Sequence, residues 1–147
     1  MSAATNALED ALLTLLFINT DAANIGDATG LRGSSTAGVF WISLHTGSPG
    51  ETGTQTTSET AYTSYGRVSV ARSAAGWTVS SGTCDNDAAI TFPASTGSGD
   101  SVTHFGVGSD ETSTGNLWIY GATGGTLVTN SGVTPEFAAG ALDISLA

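Results

Sequence analysis

Val39-Phe40-Trp41-Ile42-Ser43-Leu44-His45 is where the chain changes its period. Apolar residues upstream recur at three and four; from Val39 they alternate. Phe40, Ile42 and Leu44 fall on one face of an extended backbone, so the stretch reads as a β-strand with a buried side. The same alternation returns downstream in Arg67–Ser73, Trp77 with Val79, Ala89–Phe92, Val102–Val107, Leu117–Tyr120, Thr126–Val128 and Leu142–Leu146. Turn-formers separate these runs: Gly97-Ser98-Gly99-Asp100, Gly108-Ser109-Asp110, Gly121, Gly124-Gly125 and Asn130-Ser131-Gly132. Short strands split by turns, with no alternation of strand and helix, predict an all-β fold: an antiparallel β-sandwich or a jelly-roll-like barrel. No internal repeat argues for a solenoid, a propeller or a fibre shaft.

Upstream of Val39 the pattern differs. Leu8, Ala11, Leu12, Leu15 and Leu16 make one apolar stripe, which predicts a single N-terminal α-helix over residues 6–18. Asn6 is placed to cap it, with Glu9 completing a loose capping box. Glu9 and Asp10 sit at the favourable end of the helix dipole. Leu13, Phe17 and Ile18 widen the apolar face. Residues 19–38 are polar and glycine-rich, a loop long enough to suggest ordering against a neighbouring subunit. The expected organisation is therefore a docking arm over 1–38 and a β-domain over 39–147.

Composition narrows the function. The 147 residues include no lysine and three arginines, Arg32, Arg67 and Arg72, and the net charge is −10. Such a surface repels phosphate, so neither nucleic acid nor an anionic membrane is an expected partner. Cys84 is the only cysteine, which excludes an internal disulfide and suits a small core residue. Acidic Glu9 and Asp10 stand where a signal peptide would be basic, so assembly in the cytoplasm is expected.

No constellation carries catalytic chemistry. His45 and His104 lie in separate strands without a second ligand at metal-binding spacing. His45 is expected to hydrogen-bond a turn backbone, and His104 to face solvent or an interface. Asp85-Asn86-Asp87 lacks the glycine and distal glutamate of a calcium loop and reads as an Asx-rich turn. Gly97-Ser98-Gly99-Asp100 lacks the lysine of a phosphate loop, and no nucleophile elbow occurs. Arg67 and Arg72 are expected to pair with carboxylates such as Glu51 or Glu59. The aromatic residues read as core and cross-strand packing, with a carbohydrate-stacking platform as the alternative. No cofactor, metal or enzymatic activity is expected.

Several segments, in order, carry a resemblance: residues 41–53 (WISLHTGSPGETG), 55–59 (QTTSE), 62–72 (YTSYGRVSVAR), 76–79 (GWTV), 90–93 (ITFP), 103–108 (THFGVG) and 132–137 (GVTPEF). The series resembles a family of small virion structural proteins of tailed bacteriophages, of the capsid-decoration or tail-fibre-like type. That resemblance implies a virion location and no catalytic residues. The main expectation is a capsid decoration, or cement, protein that stabilises the lattice as a homotrimer beside the major capsid protein or another virion protein. Leu8, Leu12, Leu15, Leu16 and Arg32 are the expected assembly contacts. The alternative is a tail-fibre-like or receptor-binding protein that grips host surface glycan through loops such as 46–60 and 97–101.

Overall fold

The computed structural model describes residues 4–26 and 30–146. Residues 27–29, within the expected 19–38 loop, lie outside the described residues. Helix α1 (Asn6–Leu13) runs into a π-helical turn (Thr14–Ile18). The strands that follow are β1 (Val39–His45), β2 (Val68–Ala71), β3 (Trp77–Ser80), β4 (Thr83–Asn86), β5 (Ile90–Thr91), β6 (Ser101–Gly108), β7 (Leu117–Val128), β8 (Glu136–Phe137) and β9 (Asp143–Ser145). They form sheets ordered β2-β1-β6-β7, β3-β4-β9 and β5-β8. The fold is thus mostly β with one N-terminal helix and three antiparallel sheets; of the two forms expected, sandwich or jelly-roll-like barrel, the closed barrel is absent. It divides into two compact units: one joins Met1–Gly38, Ala71–Ile90 and Phe137–Ala147, the other Val39–Val70 and Thr91–Glu136.

In the second unit, β1 lies inside the four-stranded sheet and pairs with β6 from Trp41↔Gly108 to His45↔His104. Phe40, Ile42 and Leu44 are buried as their alternation predicts, but so are Ser43 and His45. The strand is covered on both faces at its far end. Gly106 makes this possible: a Cβ there would sit 2.7 Å from both His45 Nε2 and Ser43 Oγ. The segments Leu117–Tyr120 and Thr126–Val128, expected as two strands, are one strand. Gly121 and Gly124-Gly125 lie within β7 and do not end it.

In the first unit, β3 and β4 make a hairpin closed by Ser81-Gly82, both at positive φ (55° and 83°). Two consecutive left-handed residues give the tight turn that matches strand twist. Asp10 accepts a hydrogen bond from the Gly82 amide at 2.6 Å. The expected capping box is absent: Thr5 holds the N-cap position without a side-chain bond, and Asn6 is already helical. Asp10, one residue beyond the first turn of the helix, holds the hairpin instead. Leu13 and Phe17 are fully buried, and the Phe17 ring meets Trp77 edge-on at 4.7 Å. The helix is α only to Leu13; the π turn then ends at Asn19, whose φ of 60° suits asparagine.

Asp85-Asn86-Asp87 is not an Asx turn. Thr83–Asn86 is β4, and Asn86 is a buried staple. Its Nδ2 donates to the carbonyls of Ala88 (2.7 Å) and Ala138 (2.8 Å), and its Oδ1 accepts from the Leu142 amide (2.8 Å). Asp85 stands opposite Asp143 across β4 and β9. Burial, and then the Asp143 charge, raise its pKa.

Candidate functional site

The first unit carries an open apolar cleft of about 360 Å³. Leu12, Leu15 and Leu16 form one side, and Arg32, Arg72 and Leu146 complete it. Four of the five residues expected at an assembly contact therefore converge. Leu8, 42% exposed, is not among the lining residues. The helix explains the division of its leucines. Leu13 and Phe17 point into the core, while Leu12, Leu15 and Leu16 keep partial exposure on the cleft side.

Arg32 reaches the cleft because the loop around it is zipped. Asn19 Oδ1 accepts from the Ser34 amide (2.7 Å), and Asn19 Nδ2 donates to the Ser34 carbonyl (2.8 Å). Asp21 takes the Gly33 amide (2.8 Å) and the Arg32 guanidinium (3.1 Å). Ala22 and Leu31 exchange both main-chain bonds. The stem of the long loop is thus ordered by its own chain. The Arg32–Asp21 pair is exposed and contributes little to stability; its value is in aiming Arg32. Arg72 donates to the carbonyls of Leu15 (3.0 Å), Leu16 (2.6 Å) and Ala37 (2.8 Å). It meets carbonyls that a helix end leaves without intrahelical partners. The sequence pointed to neither Arg72 nor Leu146 as cleft residues, since they come from distant segments.

The second unit holds a clamp under the 46–60 loop. Arg67, with 3% of its side chain exposed, grips Glu59 with two parallel bonds, Nε to Oε1 at 2.7 Å and Nη2 to Oε2 at 2.8 Å. Of the carboxylates expected to pair with Arg67 and Arg72, Glu51 or Glu59, it is Glu59 that holds Arg67. The remaining guanidinium protons go to the carbonyls of Asp110 (2.8 Å), Thr112 (3.3 Å) and Ser113 (2.9 Å). Tyr65 donates its hydroxyl to Glu59 at 2.8 Å. Its phenol is pushed well above the usual tyrosine range, chiefly by burial. Gln55, fully buried, adds a second tie: Oε1 accepts from the Asp110 amide at 2.9 Å. No local pattern marked Gln55, which a threonine-rich loop disguises. Beside the clamp lies a recess of about 220 Å³, lined by Thr56, Tyr65, Glu111, Thr112 and Ser113.

His45 and His104 stand in register across β1 and β6. His45 donates from Nδ1 to the Thr57 carbonyl (2.8 Å), which leaves Nε2 to accept from the Ser43 hydroxyl (2.8 Å). The ring binds main chain, as expected, though in the 46–60 loop and not in the turn beside it. Among the described residues, no group of three or more His, Cys, Asp or Glu is placed to hold a metal. Burial lowers the His45 pKa, outweighing the Thr57 carbonyl and the Glu59 charge. The unfolded chain therefore takes up this proton first. Stability is expected to be full above pH 6.5, the ordinary histidine value, and to fall as pH drops from there toward the lowered native value. Urea titrations across that range should show the decline, and His45→Gln should flatten it. An unchanged slope in the variant would remove His45 as the source.

Cys84 is buried, and its thiol is pushed up to about 12 by burial and then by Asp85. That is an inert core residue. Of the aromatic residues, Trp77 and Tyr62 are core, but Trp118 is exposed. No helix among the described residues is long and apolar enough to cross a membrane.

Comparison with known families decides the class. A family model described as podophage GP4 fiber I protein gp80 matches residues 3–145. The chain belongs to this family. It is a structural component of a phage virion, of the fibre type, and its family is not enzymatic. A comparison with curated proteins finds no match. The fibre family leaves capsid decoration unsupported and favours the alternative reading of the sequence. It implies other virion proteins as partners; it identifies neither the major capsid protein nor a trimer.

Proposed function

We propose that this gp80-family fibre protein meets the host surface through the recess beside the Arg67 clamp, and joins a neighbouring virion protein through the Leu12–Leu15–Leu16 cleft. The observation that carries the reading is how the backbone around the recess is held. Glu59, Gln55 and Thr57 are each tied down from below, and Arg67 bonds the carbonyls of Thr112 and Ser113 on the other side, so the main chain lining the recess is fixed before any ligand arrives. Groups held in place lose little entropy on binding. Hydroxyls, a carboxylate and the edge of a tyrosine suit the hydroxyl groups and apolar ring faces of a surface glycan.

The test is binding of purified protein to host cells, together with its copy number in purified particles. Saturable binding and roughly tens of copies or fewer per virion are expected. Hundreds of copies, in fixed ratio to the major capsid protein, would return the chain to the capsid lattice. Leu12→Ser with Leu15→Ser should keep cell binding but lose incorporation into particles. Normal incorporation would remove the cleft from assembly.

A further inference from the structure

Arg67 is the only arginine or lysine of the second unit, against six aspartates and glutamates. It lies along the recess beside the clamp, yet it has no donor left for an anion there. A guanidinium carries five N–H donors. All five are engaged within the chain: two on the Glu59 carboxylate, and three on the carbonyls of Asp110, Thr112 and Ser113. Only 3% of the side chain is exposed. Its charge is matched at contact distance by Glu59, so the recess holds a cation that presents no bonding face to a ligand.

The Tyr65 hydroxyl is occupied in the same way. It donates to Glu59 (2.8 Å) and accepts from the Leu44 amide (3.1 Å), so the phenol contributes its ring to the recess and not its hydroxyl. The exposed residues that face a ligand are Glu111, Thr56, Thr112 and Ser113: one carboxylate and three hydroxyls. A carboxylate only accepts hydrogen bonds, whereas a hydroxyl both donates and accepts. An acidic sugar entering here would give up water, come beside the Glu111 charge and find no cationic donor to replace what it lost. A neutral sugar meets the reverse situation. Its hydroxyls donate to Glu111, in bonds strengthened by that charge, and exchange bonds with the three side-chain hydroxyls.

We propose that the recess selects uncharged sugar units and excludes those bearing a carboxylate, phosphate or sulfate, with Glu111 as the residue that discriminates. The inference rests on the host-surface reading above and names the class of glycan that surface must display. Selectivity of this kind comes from an unpaired like charge set against the wrong ligand as much as from contacts to the right one.

Polysaccharide released from host cells, cut to short oligosaccharides and split by anion exchange into a neutral and an acidic pool, supplies the probes. Each pool competes with host cells for the labelled full-length protein. The neutral pool should displace the protein at a concentration at least about tenfold below that of the acidic pool. Glu111→Gln keeps the size of the side chain and removes its charge. It should narrow that gap at least about threefold, by admitting the acidic pool, with circular dichroism and unfolding midpoint unchanged. Displacement by the acidic pool at an equal or lower concentration overturns the proposal and leaves the host-surface reading standing, as does displacement by neither pool. A gap that Glu111→Gln leaves unchanged also overturns it, since the exclusion would then lie outside the recess. Absence of saturable binding to host cells removes both readings together.

Discussion

Arg67→Ala is expected to lower stability by about 3–5 kcal/mol, the cost of stripping one partner from a buried ion pair. The reason is what remains behind. Glu59 is left with the Tyr65 hydroxyl beside it and no cation, and the carbonyls of Asp110, Thr112 and Ser113 lose a donor together. The pair itself need not be strongly favourable. Desolvating both ions offsets much of their attraction, so Glu59→Leu with Arg67→Met should recover a large part of the loss. A double-mutant cycle by urea unfolding measures the coupling. A loss below about 1 kcal/mol for Arg67→Ala would mean that the pair behaves as an exposed one.

Phe17→Ala should cost a similar amount, about 3–5 kcal/mol, because a buried ring leaves a cavity that its surroundings fill only in part. The edge-on contact with Trp77 is lost as well. Trp77 reports the change directly: its emission should move to longer wavelength as solvent reaches the indole. Leu16→Ala, one residue earlier but on the half-exposed cleft side, should cost much less and leave that emission unchanged. Equal losses for the two variants would contradict the division of the helix into a core side and a cleft side.

That division was only partly legible in the sequence. The stripe Leu8, Leu12, Leu15, Leu16 announced a helix, and Leu13, Phe17 and Ile18 appeared as an overly wide apolar face. The structure resolves the excess: Leu13 and Phe17, four residues apart, face the core, while Leu12, Leu15 and Leu16 line the cleft. β1 was legible because alternation survives wherever one face is core. β7 was misread because glycines that punctuate turns also permit bulges, and only pairing with β6 distinguishes the two. Asn86 was misread for a related reason. Asp-Asn-Asp favours a turn locally, but bonds to Ala138 and Leu142, 52 and 56 residues away, hold it in a strand. An arginine–carboxylate pair was legible because cations are so few, but the sequence offered Glu51 as readily as Glu59, and Arg72 as readily as Arg67. The cleft was half legible: one helix supplies its leucines, while Arg72 and Leu146 are brought there only by the tertiary fold.

The interleaving of the two units bears on how the protein reaches its native state. Each unit is assembled from separated stretches of chain, the first from three and the second from two. Leu142 and Ile144, both buried in the first unit, come from its last stretch. A nascent chain carrying α1, β3 and β4 therefore lacks part of the core those elements need, and must wait for β9 to emerge. Folding dominated by such distant pairings is slow, because loop closure is costly before the contacts that reward it form. During synthesis the acidic, lysine-free chain spends that interval with its apolar helix face uncovered, when its net charge is the main protection against aggregation.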